Sequence, residues 1–246
     1  MNADIVYVKD LKKKYGNIEA LRGISFNVRK GEIFGIVGPN GAGKTTTLRI
    51  IATLIKPTSG TVKVFGLDVV KHRSKVRKFI GYLPEDAGVY DRLTGWENLL
   101  FFAKLYFKDP KEVERAVEYG AKIAGLGDRI HDRTETYSKG MKRRLLLAKT
   151  LMLKPKLALL DEPTSGLDVF AAVEVRRLIK EYAKELNTTI ILSSHNMLEV
   201  EYLCNRVALI NNGIIVDIGS PKELKEKYNA SNLEEAFVNA IRGSKK

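Results

Sequence analysis

The chain has 246 residues, with 42 Lys and Arg against 29 Asp and Glu, a net charge of +13. Its 44% hydrophobic and 29% charged residues are the balance of a globular protein, and the lone Cys204 excludes a disulfide framework or a cysteine metal cluster. The apolar runs are too short to span a bilayer and the charged N-terminus (Asp4, Lys9, Asp10) has no signal core, so the chain reads as neither secreted nor integral to a membrane.

Weak alternation at 5–8 and the apolar positions Leu21, Ile24, Phe26 and Val28 predict two strands of a small, half-exposed sheet. A short buried strand at 32–37 leads into a glycine-rich turn and a helix over 45–54. Pro57, Ser59 and Gly60 mark a turn before a strand at 61–65, and Pro84 ends a strand at 78–83. Residues 94–150 have helical texture. There Trp96, Leu99, Leu100, Ala103 and Phe107 keep helical spacing, while Phe101, Phe102, Leu105 and Tyr106 make the opposite side apolar too. Such a helix is either deeply buried or covered by a partner, and both readings stay open. Apolar runs at 157–160 and 189–193 read as parallel-type strands, each followed by a helix, the first of them at 169–186. Residues 207–210 and 214–218 read as a hairpin through Asn211-Asn212-Gly213, 221–242 as helical, and the closing GSKK as a frayed tail. Strand–helix alternation with a helical insertion predicts an α/β fold.

The stretch Gly38-Pro39-Asn40-Gly41-Ala42-Gly43-Lys44-Thr45 fits the phosphate-loop pattern between a strand and a helix. Its glycines let backbone N–H groups turn inward as an anion nest, and the helix start adds positive potential. Lys44 is expected at the β- and γ-phosphates and Thr45 on Mg²⁺. In LALLDE, Asp161 and Glu162 end a buried strand, where phosphate-loop folds face the nucleotide. Asp161 suits the Mg²⁺ shell. Glu162, expected on the other side of the pleat, is free to take a proton from water. The plainer reading is two acids capping a strand. His195 follows a parallel strand and is expected to reach the γ-phosphate, against the plainer role of a structural hydrogen bonder. His72 and His131 are expected at the surface.

The segments GPNGAGKTT, YSKGM, LALLDEPTSGLD and SSH, in this order, closely resemble those of ATP-binding cassette (ABC) ATPases, over nearly the whole chain. The resemblance implies a phosphate-loop NTPase core with a mostly parallel sheet, a small antiparallel β subdomain and a helical insertion. It divides the single cassette, 1–246, into a core at 1–87 and 151–220, a helical subdomain at 88–150 and a C-terminal helical extension at 221–246. It also implies ATP and Mg²⁺, with Tyr15 stacking on adenine and the phosphates held by Gly38 to Thr46. Glu85 falls at the Q-loop and is implied as a metal ligand beside Thr45 and Asp161, while Lys44, Glu162 and His195 carry hydrolysis. Ser138 and Gly140, in the signature turn, and Asp168, in the D-loop, are implied at an ATP held by a second cassette, as a homodimer when ATP is bound. The further partner is an integral-membrane permease on a separate chain, at the cytoplasmic face of the membrane; no nucleic acid is expected. The variants resemble bacterial and archaeal drug-resistance exporters, and Leu233-Glu234-Glu235-Ala236-Phe237 resembles their C-terminal extension. A soluble cassette ATPase acting on nucleic acid or ribosomes is the second reading.

Two positions depart from the family. Lys139 stands where the signature has a glycine, so any backbone angle needing glycine is lost there. Glu85 stands where the Q-loop has glutamine, in a chain with no glutamine at all. The basic run Lys139, Lys142, Arg143 and Arg144 suits an anionic site across a dimer, or for Arg143 and Arg144 a solvated face.

Overall fold

Val6, Val8 and Leu11, with Leu21, Ile24, Phe26 and Val28, fall on one buried face of two long antiparallel strands, β1 (Asp4–Tyr15) and β2 (Ile18–Arg29). The computed structural model describes residues 4–243. A bulge keeps Leu11 inward: the register shifts between Val8 and Leu11, and Asp10 has φ 48°. Both strands outrun the expected ranges because their exposed ends are held by ladder pairing rather than burial.

The chain continues through β3 (Ile33–Val37), α1 (Lys44–Ile51), β4 (Ser59–Val64), β5 (Leu67–Asp68), α2 (Arg73–Arg77) and β6 (Ile80–Leu83). Then come α3 (Gly95–Tyr106), α4 (Pro110–Ala124), two short 3₁₀ turns and α5 (Lys139–Leu151). The core resumes with β7 (Leu157–Asp161), α6 (Val169–Leu186), β8 (Thr189–Ser194) and α7 (Met197–Leu203). It closes with β9 (Arg206–Asn211), β10 (Ile214–Gly219), α8 (Pro221–Lys227) and α9 (Leu233–Gly243).

Six strands form the central sheet in the order β10-β9-β3-β8-β7-β6, parallel except for the β9–β10 hairpin. β3, β7 and β8 are buried at every residue, as their unbroken apolar runs require of strands covered on both faces. One face packs on α1 and on the antiparallel sheet β2-β1-β4-β5; the other packs on α5, α6, α7 and the C-terminal helices. The parallel strands deliver their C-terminal ends to one edge, where such sheets bind ligands.

A third apolar cluster joins α3, α4 and α5 through Leu99, Ala103, Val117, Leu145 and Ala148. Thr94 and Glu97 close a capping box on α3; Asp109 caps α4 ahead of Pro110, and Gly125 ends it. Only one side of α3 is buried. Phe101, Leu105 and Tyr106 are 43%, 64% and 66% exposed, so the core accounts for half of this apolar helix. The tail is two helices rather than one, broken at Asn229 with φ 47°. The GSKK tail beyond Gly243 lies outside the described residues, as do the bounds 1 and 246 expected for the cassette.

Candidate active site

β3 ends at Val37 and the chain turns through 38–43 into α1. Gly43 begins that helix with φ 105°, and a Cβ there would lie 2.7 Å from the Ala20 carbonyl oxygen and 2.6 Å from Leu21 Cδ2. Only glycine fits this conformation and this approach to β2. No side chain caps α1 and its first turn carries no acid, so its free N–H groups face the cleft. The loop is backed from a distant part of the chain: Gly213, in the β9–β10 turn, donates its N–H to the Ala42 carbonyl (3.0 Å) and accepts from Arg22 N–H (2.8 Å).

Here lies a cavity of about 250 Å³, lined by Ala20, Asn40, Gly41, Gly43, Lys44, Thr45, Thr46, Glu85 and Glu162. Lys44, 5% exposed, donates through Nζ to the carbonyls of Gly38 (2.8 Å) and Pro39 (3.2 Å) and pairs with Glu162 Oε1 at 3.1 Å. Thr45 Oγ1 donates to Asp161 Oδ1 at 3.0 Å. Ser193 Oγ donates to the same oxygen at 2.5 Å, and Tyr82 OH to Oδ2 at 3.3 Å. Burial and the Asp161 charge push the Tyr82 phenol up to about 12, so it stays a donor. Thr45 and Asp161 are hard oxygen donors side by side, a set that suits Mg²⁺, which takes one or two protein oxygens and completes its shell with water and phosphate.

Glu162 is not on the pleat. It lies one residue past β7 with φ 47°, a left-handed turn that costs about 1–3 kcal/mol where a non-glycine residue adopts it. Its N–H donates to Ser193 O (3.1 Å) and Oγ (3.0 Å), and its carboxylate is turned into the cleft by that turn rather than by strand alternation. Oε1 has the Lys44 ammonium nearby but no well-angled hydrogen bond, and Oε2 accepts from His195 Nδ1 at 2.8 Å. His195 therefore bears on Glu162, and half of its side chain (48%) is open to solvent. His72 and His131 are exposed and do not line this cavity.

The family described as ABC transporter matches residues 21–165. The chain belongs to the ABC transporter ATP-binding family. The cassette is 38% identical to the linearmycin resistance ATP-binding protein LnrL of Bacillus subtilis, over 97% of this chain and 79% of that protein. It is 40% identical to the bacitracin transport ATP-binding protein BcrA of Bacillus licheniformis, over 94% and 74%. A solved ATP-binding subunit of an ABC transporter superposes with TM-score 0.83 at 28% identity, covering 96% of the cassette and 99% of that chain. The dimeric cassette MJ0796 with ADP and Pi, in a post-hydrolysis state, gives 0.78 at 26% identity over 87% and 98%. The fold is that of an ABC cassette and the activity ATP hydrolysis coupled to transport.

Four expected site residues sit apart from this cleft. Tyr15 is half exposed at the end of β1, under Lys13 Nζ at 4.8 Å, and does not line the cavity. Asp168 caps α6, accepting from Ala171 N at 2.9 Å. Ser138 is the exposed N-cap of α5, accepting from Met141 N at 3.2 Å, and Gly140 is buried against α6. Lys139, the signature departure, is exposed in the first helical turn and needs no glycine conformation.

Arg143 matches neither earlier reading. It is 7% exposed, and its guanidinium donates to main-chain carbonyls: Nε to Pro163 (2.7 Å), Nη2 to Asp161 (3.0 Å) and Glu162 (2.6 Å), Nη1 to Glu85 (3.4 Å). Lys142 pairs instead with Asp91 (2.7 Å), and Arg144 reaches the Gly125 carbonyl (3.2 Å). Sequence reading also missed Tyr82 and Ser193. The serine pair before His195 was the available signal for the second; a strand tyrosine carried none for the first.

Proposed function

We propose that the cassette is the ATPase subunit of an exporter whose membrane-spanning part is a separate chain, at the cytoplasmic face of the membrane, and that two cassettes pair head to tail around ATP. The observation that carries the chemistry is one carboxylate, Glu162, held between Lys44 at 3.1 Å and His195 at 2.8 Å at the rim of the phosphate loop. The loop amides and the start of α1 receive the phosphates. Lys44 turns from Glu162 to the β- and γ-phosphates, which frees Oε1 to take a proton from the attacking water. His195 donates to Oε2 and fixes the direction of the carboxylate. Thr45 and Asp161, with Glu85 on the same cleft, would hold Mg²⁺, which supplies charge neutralisation at the phosphate oxygens.

Pairing is supported by α5. Its start is exposed at the N-cap Ser138 and at Lys139, and its first turn carries no acid, so it offers a dipole and positive charge to an anion outside its own chain. The solved MJ0796 cassette with ADP and Pi is dimeric, which supports pairing of two copies. No helix among the described residues is long and apolar enough to cross a membrane. The uncovered face of α3, with Phe101, Leu105 and Tyr106, suits a hydrophobic membrane subunit. The linearmycin resistance and bacitracin transport relatives support export.

The test is Glu162→Gln. It should keep ATP affinity, lower turnover about 100-fold or more as loss of a general base does, and accumulate an ATP-bound dimer on size exclusion with light scattering. Hydrolysis at the wild-type rate would remove Glu162 from the role.

A further inference from the structure

An arginine on the helix that starts with Ser138 ought to face solvent or phosphate; Arg143 instead spends its donors on the backbone of the catalytic turn. It contacts three consecutive carbonyls, those of Asp161, Glu162 and Pro163, and a fourth at Glu85. Burial lowers its basicity, but the charges of Glu199, Glu85, Asp161 and Glu162 oppose that, and a guanidinium stays charged. The planar fork reaches these carbonyls from three separate nitrogens, whereas an ammonium offers its three donors from a single point and matches their spacing less well. At the other end of the same stretch, Gly140 lies so close to α6 that a Cβ would meet Ala171 Cβ at 2.6 Å. The signature turn is thus braced twice against its own chain, on α6 and on the turn that presents Glu162.

In a head-to-tail pair these two turns serve different nucleotides: Glu162 the one on its own phosphate loop, Ser138 the one on the other copy. We propose that Arg143 is a positioning residue that couples the two ATP sites, so that closure of the signature turn on one nucleotide seats Glu162 for the other. This rests on the pairing proposed above. Helix α5 is the rigid link: Ser138 caps it and Arg143 lies five residues on. A shift of the turn on meeting phosphate moves the guanidinium, and with it the three carbonyls and the strained φ of Glu162.

The experiment compares Arg143→Lys and Arg143→Ala with wild type, all in the full chain with Mg·ATP. Titration calorimetry on the monomer should give unchanged ATP affinity. Turnover should fall about 100-fold, the cost of a roughly 1 Å misplacement, with little change in KM. The Hill coefficient for ATP is expected above unity in the wild type and should drop to unity in both variants. Millimolar guanidinium chloride should restore part of both turnover and cooperativity to Arg143→Ala, which a lost fold would not allow. Should Arg143→Ala fail to fold, Arg143→Lys carries the test. Slow turnover with cooperativity intact, or loss of ATP binding by the monomer, overturns the coupling role. The pairing itself is read separately: if Glu162→Gln forms no dimer in ATP and wild type shows no cooperativity, the head-to-tail reading fails, and this inference with it.

Discussion

Glu199 is 1% exposed, its Oε2 accepts from Ser194 Oγ at 2.5 Å, and its Oε1 has no hydrogen-bond partner. Burial raises its pKa from the ordinary 4.5, the nearby Glu162 charge adds to that, and Ser194, Thr164 and Arg176 offset part of it. The folded carboxyl therefore holds its proton to a higher pH than the unfolded chain does. Above the unfolded value, folding must take up a proton, so this group's contribution to stability declines as pH rises toward the folded value and is level beyond it. Glu199→Gln cannot release that proton. Thermal unfolding at stepped pH should find the variant's midpoint gaining on the wild type's from acid toward neutral pH; a gap independent of pH would refute the buried acid. At this scale the sequence was half legible. Lys44, Thr45 and Asp161 stood out because phosphate chemistry needs those types at that spacing, and they do meet in one cleft. Arg143 and Glu199 did not, because a charge in a helix is normally a solvated face and only tertiary packing makes these two internal.

Helix α5 begins as it does because Ser138 supplies an N-cap and Gly140 the clearance against α6. Gly140→Ala places a methyl group into Ala171, an overpacking that costs about 1–3 kcal/mol. Urea unfolding should register that loss while the monomer still binds ATP, since the phosphate loop lies elsewhere; unchanged stability would mean the helices part easily. Short unbroken apolar runs made β3, β7 and β8 readable in the sequence, and α6 followed as the helix between two of them. By contrast, β5 and α2 went unread: α2 buries only Val76, so it shows no apolar pattern. The break between α8 and α9 was hidden because Asn229 tolerates the left-handed conformation without a glycine or proline to announce it.

The C-terminal helices belong to the main body. Leu224, Leu233, Ala236 and Ala240 are buried in the cluster under α6 and α7, Lys225 pairs with Glu201, and Leu233 N donates to Glu201 Oε2 at 3.4 Å. Truncation after Gly219 removes roughly 5 kcal/mol of apolar burial, counting mainly the two leucines. The urea midpoint should fall steeply, and turnover with it, because α7 carries on from His195. An unshifted midpoint would show the tail to be an appendage. That extension was legible only as helical texture; its docking under α7 depends on contacts between segments far apart in the chain.

The β9–β10 turn was read as an ordinary Asn-Asn-Gly hairpin, yet Gly213 holds both Ala42 and Arg22. An engineer choosing where to open this chain for a circular permutation, or where to insert a reporter domain, would be drawn to such a short polar turn. Cutting there would unpick the backing of the anion nest and the seam between the two sheets at one stroke, so the most inviting break point is the one to leave intact.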